Sequence, residues 1–296
     1  MQTQPIKPVQ RPQQRPCVLV FAGHDPSGGA GIQADIEAVT AQGAHALPII
    51  TALTVQDNNR VYQVHPIDAD IIEAQARALF AAMPIHAVKL GIVGSARNAQ
   101  RIAELIKELQ EERIKAGNKA SASIADADTQ IAMTRSLDVV LDPVLASGAG
   151  QRLAIDEACA AIQPLLEVAT LITPNLPELS RLASFGSGVA QKAQSLLGGA
   201  CQDVLVKGGH SEEDAVTNRW FSQAFPHTEK QWTWPRLAGS FHGSGCTLAS
   251  AIAAQLALGR SLEVSLLRGQ SYTQAALQGA YRIADGQLMP HRFRSV

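Results

Sequence analysis

A chain of 296 residues with 46% hydrophobic content has ample material for a core, arranged as one large domain or two smaller ones. Its 25 basic and 26 acidic residues leave a formal net charge of -1, which gives no electrostatic case for nucleic acid or an anionic membrane and suits a small neutral or anionic ligand. No window is long and apolar enough for a membrane span and the N-terminus lacks the apolar core of a signal peptide, so a cytoplasmic location is expected.

Residues 1–16, MQTQPIKPVQRPQQRP, are rich in Gln and Pro and carry basic residues but no acid. Such a stretch cannot bury enough apolar surface to order itself, and a disordered tail is expected. From Cys17 onward short β-branched runs alternate with longer segments of helical period, the signature of βα units around a mainly parallel sheet. Candidate strands are CVLVFAG, ALPIITALTV, HAVKLGI, LDVVLDPV, TLITPN and DVLVKGG, several of them continuously apolar as strands covered on both faces are. The period predicts helices over 30–42, 69–82, 96–115, 154–167, 176–183, 189–200, 246–258 and 262–284. Residues 116–136 are small and polar, and read as a surface loop or insertion. Around DAVTNRWFSQAFPHTEKQWTWPRL the pattern becomes period two, with Trp232 and Trp234 on one face, which predicts an antiparallel pair at a sheet edge. The four cysteines, Cys17, Cys159, Cys201 and Cys246, are far apart and lack metal-ligand spacing, which argues against a disulfide scaffold or a zinc site.

In an open α/β sheet ligands bind beyond the carboxyl ends of the strands, and the unusual residues of this chain fall there. After the first strand, GHDPSGGAGIQADI brings Gly28, Gly29 and Gly31 to a helix start. Its GxGxxA spacing matches a dinucleotide fingerprint only weakly, because the acid expected at the next strand end is displaced to Asp57. Within the helix, Ile32, Ile36 and Val39 form an apolar stripe with Asp35 on the same face. A carboxylate pointing inward needs a partner or a polar ligand, and the binding role is favoured over a satisfied structural one.

After the second strand, Gln56, Asp57 and Asn58 make either an amide-rich edge for a heterocycle or a plain turn, the turn being the simpler reading. Asp142 ends VVLD before Pro143, where a crevice position and an Asx turn are equally open. In TPNLPEL, Asn175 and Glu178 frame a helix start, which helix capping explains and a hydrated Mg²⁺ site explains as well. Lys207 before Gly208 and Gly209 reads as a phosphate contact, or as a lysine snorkelling at the surface. Finally FHGSGCTLASAIAAQLALG sets Gly243, Ser244 and Gly245 before Cys246 at a helix start, where unpaired N–H groups and the positive end of the dipole suit an anion. Taken together, this inventory suits phosphoryl transfer, in which catalysis is positioning and charge stabilisation.

The segments AGHDPSGGAGIQADI, ITALTVQ, LDPV, LITPNLPEL, VLVKGGH and HGSGCTLASAIAA, in this order, resemble the hydroxymethylpyrimidine and phosphomethylpyrimidine kinases of thiamine biosynthesis, members of the ribokinase-like superfamily. The resemblance spans about Cys17 to Gly259. It implies a three-layer α/β/α sandwich, a single kinase domain over 17–296, and ATP- and Mg²⁺-dependent phosphorylation of 4-amino-5-hydroxymethyl-2-methylpyrimidine and then of its monophosphate. A homodimer is within its scope. By resemblance Gly23, Asp35, Gln56 and Val144 form the pyrimidine pocket, Asn175, Lys207 and Gly209 the nucleotide side, and Glu178 with Asp142 the metal site. Gly243, Ser244, Gly245 and Cys246 resemble the anion hole, with Lys207 joining them in catalysis, and a thiolate at Cys246 is expected from the helix start. The chain departs from the family at Ser244, where Thr is usual, at Ile92 after KLG, in VLASGAG, in 116–136 and in DGQLMP near Asp285. Rival readings are a pyridoxine or pyridoxal kinase on the same fold and a catalytically idle pyrimidine-binding relative.

Overall fold

The computed structural model describes residues 14–121, 136–145, 155–211, 213–226 and 228–293. The expected tail lies outside them up to residue 13, and the polar segment lies outside them over 122–135.

Among the described residues nine strands form one sheet in the order β3-β2-β1-β4-β5-β6-β7-β8-β9. They are β1 (Cys17–His24), β2 (His45–Gln56), β3 (Val61–Pro66), β4 (Ala87–Leu90), β5 (Asp138–Leu141), β6 (Leu171–Ile172), β7 (Asp203–Val206), β8 (Ala215–Ser222) and β9 (Lys230–Pro235). The six central strands run parallel, while at one edge β3 pairs antiparallel with β2, and at the other β8 pairs antiparallel with β7 and β9 antiparallel with β8. The period-two edge pair is therefore present, with Val216 opposite Trp234 and Asn218 opposite Trp232.

Helices are α1 (Gly31–Ala41), α2 (Ala69–Ala82), α3 (Ala96–Ser121), α4 (Ile155–Leu166), α5 (Leu176–Leu182), α6 (Val189–Gln194), α7 (Ser244–Ala257) and α8 (Leu262–Gln278). Because side chains alternate along a strand, β1 feeds both faces of the sheet. Leu19 and Phe21 pack with Ile72 of α2, Ile102 of α3, Leu165 of α4 and Leu179 of α5. Val18, Val20 and Ala22 pack with Ile32 of α1, Ile252 of α7 and Leu266 of α8. Helices on both faces of a mainly parallel sheet make a three-layer α/β/α sandwich, and they explain why its central strands read as unbroken apolar runs.

Three expectations need correction. Helix α3 continues to Ser121, past the residue-115 boundary, because AGNKAS contains nothing that breaks a helix outright. Helices α6 and α8 stop early, at Gln194 and Gln278, ahead of the helix-terminating glycines Gly198, Gly199 and Gly279. Strand β3 was not foreseen, since VYQVHP has no buried residue to give it a strong period.

Candidate active site

The ends of the strands open into one cavity of about 820 Å³, a volume that holds a small-molecule ligand with room to spare. Gly23 at the end of β1, Gln56 at the end of β2 and Val144 after β5 line one part of it. Tyr62 and Val64 of β3 add a wall, so the β2–β3 hairpin overhangs these three residues. Between its strands, Asp57 accepts hydrogen bonds from the amides of Asn59 (2.7 Å) and Arg60 (2.8 Å) and from the hydroxyl of Tyr62 (2.8 Å). QDNNR is thus a turn at Asp57–Arg60, while Gln56 faces the cavity.

Asp35 does not line that cavity, which corrects its expected place in the pyrimidine pocket. It is fully buried as foreseen, but its partner is internal. Its carboxylate is 2.8 Å from the ammonium of Lys89 and accepts the Ser250 hydroxyl at 2.7 Å. Lys89 stands between Asp35 and the cavity that Lys89 itself lines. Burial pulls the Lys89 ammonium toward neutrality, and Asp35, with Cys246 and Asp142 nearby, outweighs it and holds the group charged. A cue was present in the sequence: a lysine inside the apolar run HAVKLGI must find a carboxylate. Ile36, expected on the same stripe as Asp35, is instead 38% exposed.

At the far side of the cavity three charged side chains meet. The Lys207 ammonium, after β7, is 2.6 Å from Asp142 and 3.8 Å from Glu178. Burial opposes its charge and the two acids restore it. Glu178 is pushed up to about 7, chiefly by burial and against the pull of Lys207. Asn175 and Glu178 form a reciprocal capping box on α5, with both bonds at 2.8 Å. Capping therefore accounts for their spacing, and both residues still line the cavity together with Gly209. Two carboxylates of this kind, with room for phosphate and water oxygens, fit the hard donor set that Mg²⁺ takes.

The start of α7 faces this trio: a Cβ placed on Gly245 would lie 3.1 Å from the Lys207 ammonium and 3.4 Å from Asp142. Gly243, the N-cap, has φ +74° and no side chain with which to satisfy the first free N–H groups of the helix. The N–H groups of Ser244, Gly245 and Cys246 are the donors left for an anion. The expected thiolate at Cys246 is not what the surroundings favour. Burial, with Asp142 and Asp35 nearby, pushes the thiol up to about 11 despite Lys89 and the Gly31 amide. The helix start is outweighed by desolvation among carboxylates.

Sequence reasoning also passed over a buried set joining the two glycine turns. Asp25 accepts from the amides of Ser27 (2.8 Å) and Ala30 (2.7 Å) and lies 2.9 Å from His242 Nε2. The HDPSGG stretch carried the Asx-turn signal for the first two bonds. Nothing in the chain announced that a histidine 217 positions later would complete the set.

A doubly covered parallel sheet, a cavity at its strand ends, and an anion-binding helix start beside Lys207 and two carboxylates together define a ribokinase-like small-molecule kinase. The chain belongs to the phosphomethylpyrimidine kinase family, whose sequence profile matches residues 25–114 and 100–291. It is 32% identical over 282 residues to the hydroxymethylpyrimidine/phosphomethylpyrimidine kinase of Streptomyces coelicolor, covering 93% of each chain. The phosphomethylpyrimidine kinase of Clostridium difficile superposes with a TM-score of 0.67 at 28% identity, covering 88% of this chain and 99% of that one. The pyridoxal kinase of Staphylococcus aureus gives 0.75 at 25% identity, covering 95% and 94%.

Proposed function

We propose that this protein transfers the γ-phosphoryl group of ATP to 4-amino-5-hydroxymethyl-2-methylpyrimidine and then phosphorylates the resulting monophosphate, as a step toward thiamine. The observation that carries this reading is the meeting of the α7 start with Lys207, Asp142 and Glu178 at one rim, in a chain of this family.

Gly23, Gln56 and Val144 hold the pyrimidine, with Gln56 matching donor and acceptor groups on the ring. Lys207, Asn175 and Gly209 take the nucleotide phosphates, and Asp142 and Glu178 are the residues that would hold Mg²⁺. When bound, that ion neutralises phosphate oxygens. As the hydroxymethyl oxygen attacks the γ-phosphorus in line, the bond from that phosphorus to the β,γ-bridging oxygen breaks and ADP leaves. Meanwhile the N–H groups of Ser244, Gly245 and Cys246 receive the charge that spreads over the transferring phosphoryl. In a loose transition state the hydroxyl proton leaves late, to a phosphoryl oxygen, and a protonated Cys246 is compatible with that order. Asp35 acts behind Lys89 and keeps that lysine charged beneath the site.

The same reading takes residues 17–296 as one cytoplasmic kinase domain with a small-molecule partner and no nucleic acid. Among the described residues no helix is long and apolar enough to cross a membrane. A homodimer is supported by Leu53 and Val55 of β2, 46% and 48% exposed beside each other on one face of the strand. Sedimentation at micromolar concentration tests it.

The decisive assay incubates purified protein with ATP, Mg²⁺ and the hydroxymethylpyrimidine, with pyridoxal in parallel, and weighs the products by mass spectrometry. Mono- and diphosphate of the pyrimidine, formed faster than pyridoxal phosphate, are expected. Preferential turnover of pyridoxal would overturn the pyrimidine assignment, and no ATP consumption with either alcohol would favour the idle relative.

A further inference from the structure

We propose that Arg292, in the C-terminal segment after α8, is a positioning residue that fixes the spacing of the two glycine turns forming the phosphoryl end of the cavity. The proposal rests on the kinase reading above.

Arg292 is 2% exposed, one of the largest fully buried side chains in the described protein. A guanidinium stripped of water is costly unless its donors are matched, and here each face of the fork finds an acceptor. Nε donates to the Thr247 hydroxyl at 2.8 Å. Nη1 pairs with Glu37 of α1 at 3.1 Å. Nη2 donates to the carbonyl of Gly29 and, more weakly, to that of His242 at 3.5 Å. One side chain therefore bridges the first glycine turn, the second glycine turn and the helices that follow both.

The bond to Thr247 reaches further. Thr247 passes its own hydroxyl hydrogen to the carbonyl of Gly243 at 2.8 Å, and its amide donates to the same oxygen at 3.0 Å. Arg292 thus holds the N-cap residue of α7 through one intermediary, while holding Gly29 directly. The two turns touch at this point: a Cβ on Gly243 would overlap the Gly29 carbonyl, and a Cβ on Gly29 would overlap the His242 ring. The Asp25–His242 pair joins the turns through side chains, and a second link grips both backbones directly. Arg292 does so from outside the cavity, which it does not line. Its own place is fixed by the Tyr272 hydroxyl, which donates to the Arg292 carbonyl at 2.7 Å. A displacement of the α7 start by about 1 Å is enough to cost on the order of a hundredfold in rate, because the N–H groups must meet the phosphoryl in the transition state.

The test uses the full chain with three substitutions. Arg292→Ala is expected to lower kcat by about tenfold to a hundredfold with the KM for ATP changed less than about threefold. Added guanidinium is expected to restore part of that loss, and Arg292→Lys to fall between Ala and wild type. Glu37→Gln, which removes the ion pair and leaves the bonds to both turns, is expected to stay within about twofold of wild type. Amide hydrogen exchange at 28–31 and 242–247 is expected to quicken in Arg292→Ala but not in Glu37→Gln. Unchanged exchange there, or an equal loss of kcat in Glu37→Gln, would overturn the proposal. Should Arg292→Ala not fold, Arg292→Lys carries both measurements. Failure of the wild type to phosphorylate the pyrimidine would sink the substrate assignment alone, because the exchange comparison still decides whether Arg292 clamps the turns.

Discussion

Lys89 and Asp35 meet end to end in the middle of the protein, nitrogen to oxygen 2.8 Å, with both side chains wholly excluded from solvent. Such a pair is worth little net stability, yet removing one partner strands the other as an uncompensated buried charge. Lys89→Met is expected to lower the unfolding free energy by about 3–5 kcal/mol, measured by urea titration. The double variant Lys89→Met, Asp35→Leu is expected to regain most of that loss. A double variant no more stable than Lys89→Met alone would show that the stranded charge is not the source.

Gly243 has φ +74°, a conformation that L side chains rarely adopt, and an added Cβ would overlap the Gly29 carbonyl. Gly243→Ala is therefore expected to move the helix start against the first glycine turn and to lower kcat by about a hundredfold or more. Gly188→Ala is a matched control, since a Cβ there meets open space at a helix N-cap and φ is -114°. Steady-state rates of the two variants at saturating ATP make the comparison, and equal rates would remove the α7 start from the catalytic account.

The Cys246 thiol is pushed up to about 11 by burial and by Asp142 and Asp35. At neutral pH it is protonated, so alkylation by iodoacetamide is expected to be slow at pH 7.5 and to accelerate through pH 10. Cys246→Ser is expected to retain turnover to within about tenfold, because the N–H groups of the helix start remain in place. Fast labelling of Cys246 at pH 7 by peptide mapping would restore the thiolate as a candidate base.

The sheet and its two helical layers were legible because fully buried parallel strands write themselves as apolar runs, and the antiparallel edge because Trp232 and Trp234 kept period two. Part of the strand-end inventory was legible for the same reason, since Asp142 and Lys207 each follow such a run directly. The α7 turn, in contrast, lies beyond the exposed strand β9 and was legible from its glycines at a helix start. Asp35 was read correctly as inward and wrongly as facing ligand. Helical period gives the face of a residue but not its partner, and Lys89 lies 54 positions away. Asn175 and Glu178 show the converse limit, as one spacing serves a capping box and a cavity wall together. Arg292 was invisible because its meaning depends on where the segment after α8 docks. Asn58 and Asn59 donate to the Asp285 carbonyl, and His242 donates its amide to Leu288. These long-range bonds bring the C-terminal segment to the glycine turns, and no local pattern encodes them.

Asp25 links the two turns through a bond that depends on its charge. Burial pushes its carboxyl up, but His242, Ser27 and the Ala30 amide outweigh that and hold it below the ordinary carboxylate value. A carboxylate accepts only, so His242 Nε2 carries the hydrogen of the 2.9 Å bond. The folded state therefore prefers the ionised form more than the unfolded state does. The stability this contributes is complete above the unfolded value of about 4, and is lost as pH falls through the lower folded value. Asp25→Asn is expected to be less stable than wild type at pH 7 by about 1–3 kcal/mol, with the gap narrowing as the pH is taken below about 4. Urea unfolding of both proteins across that range checks it. A gap that holds constant into acid would mean that the link between the turns does not depend on the charge of Asp25.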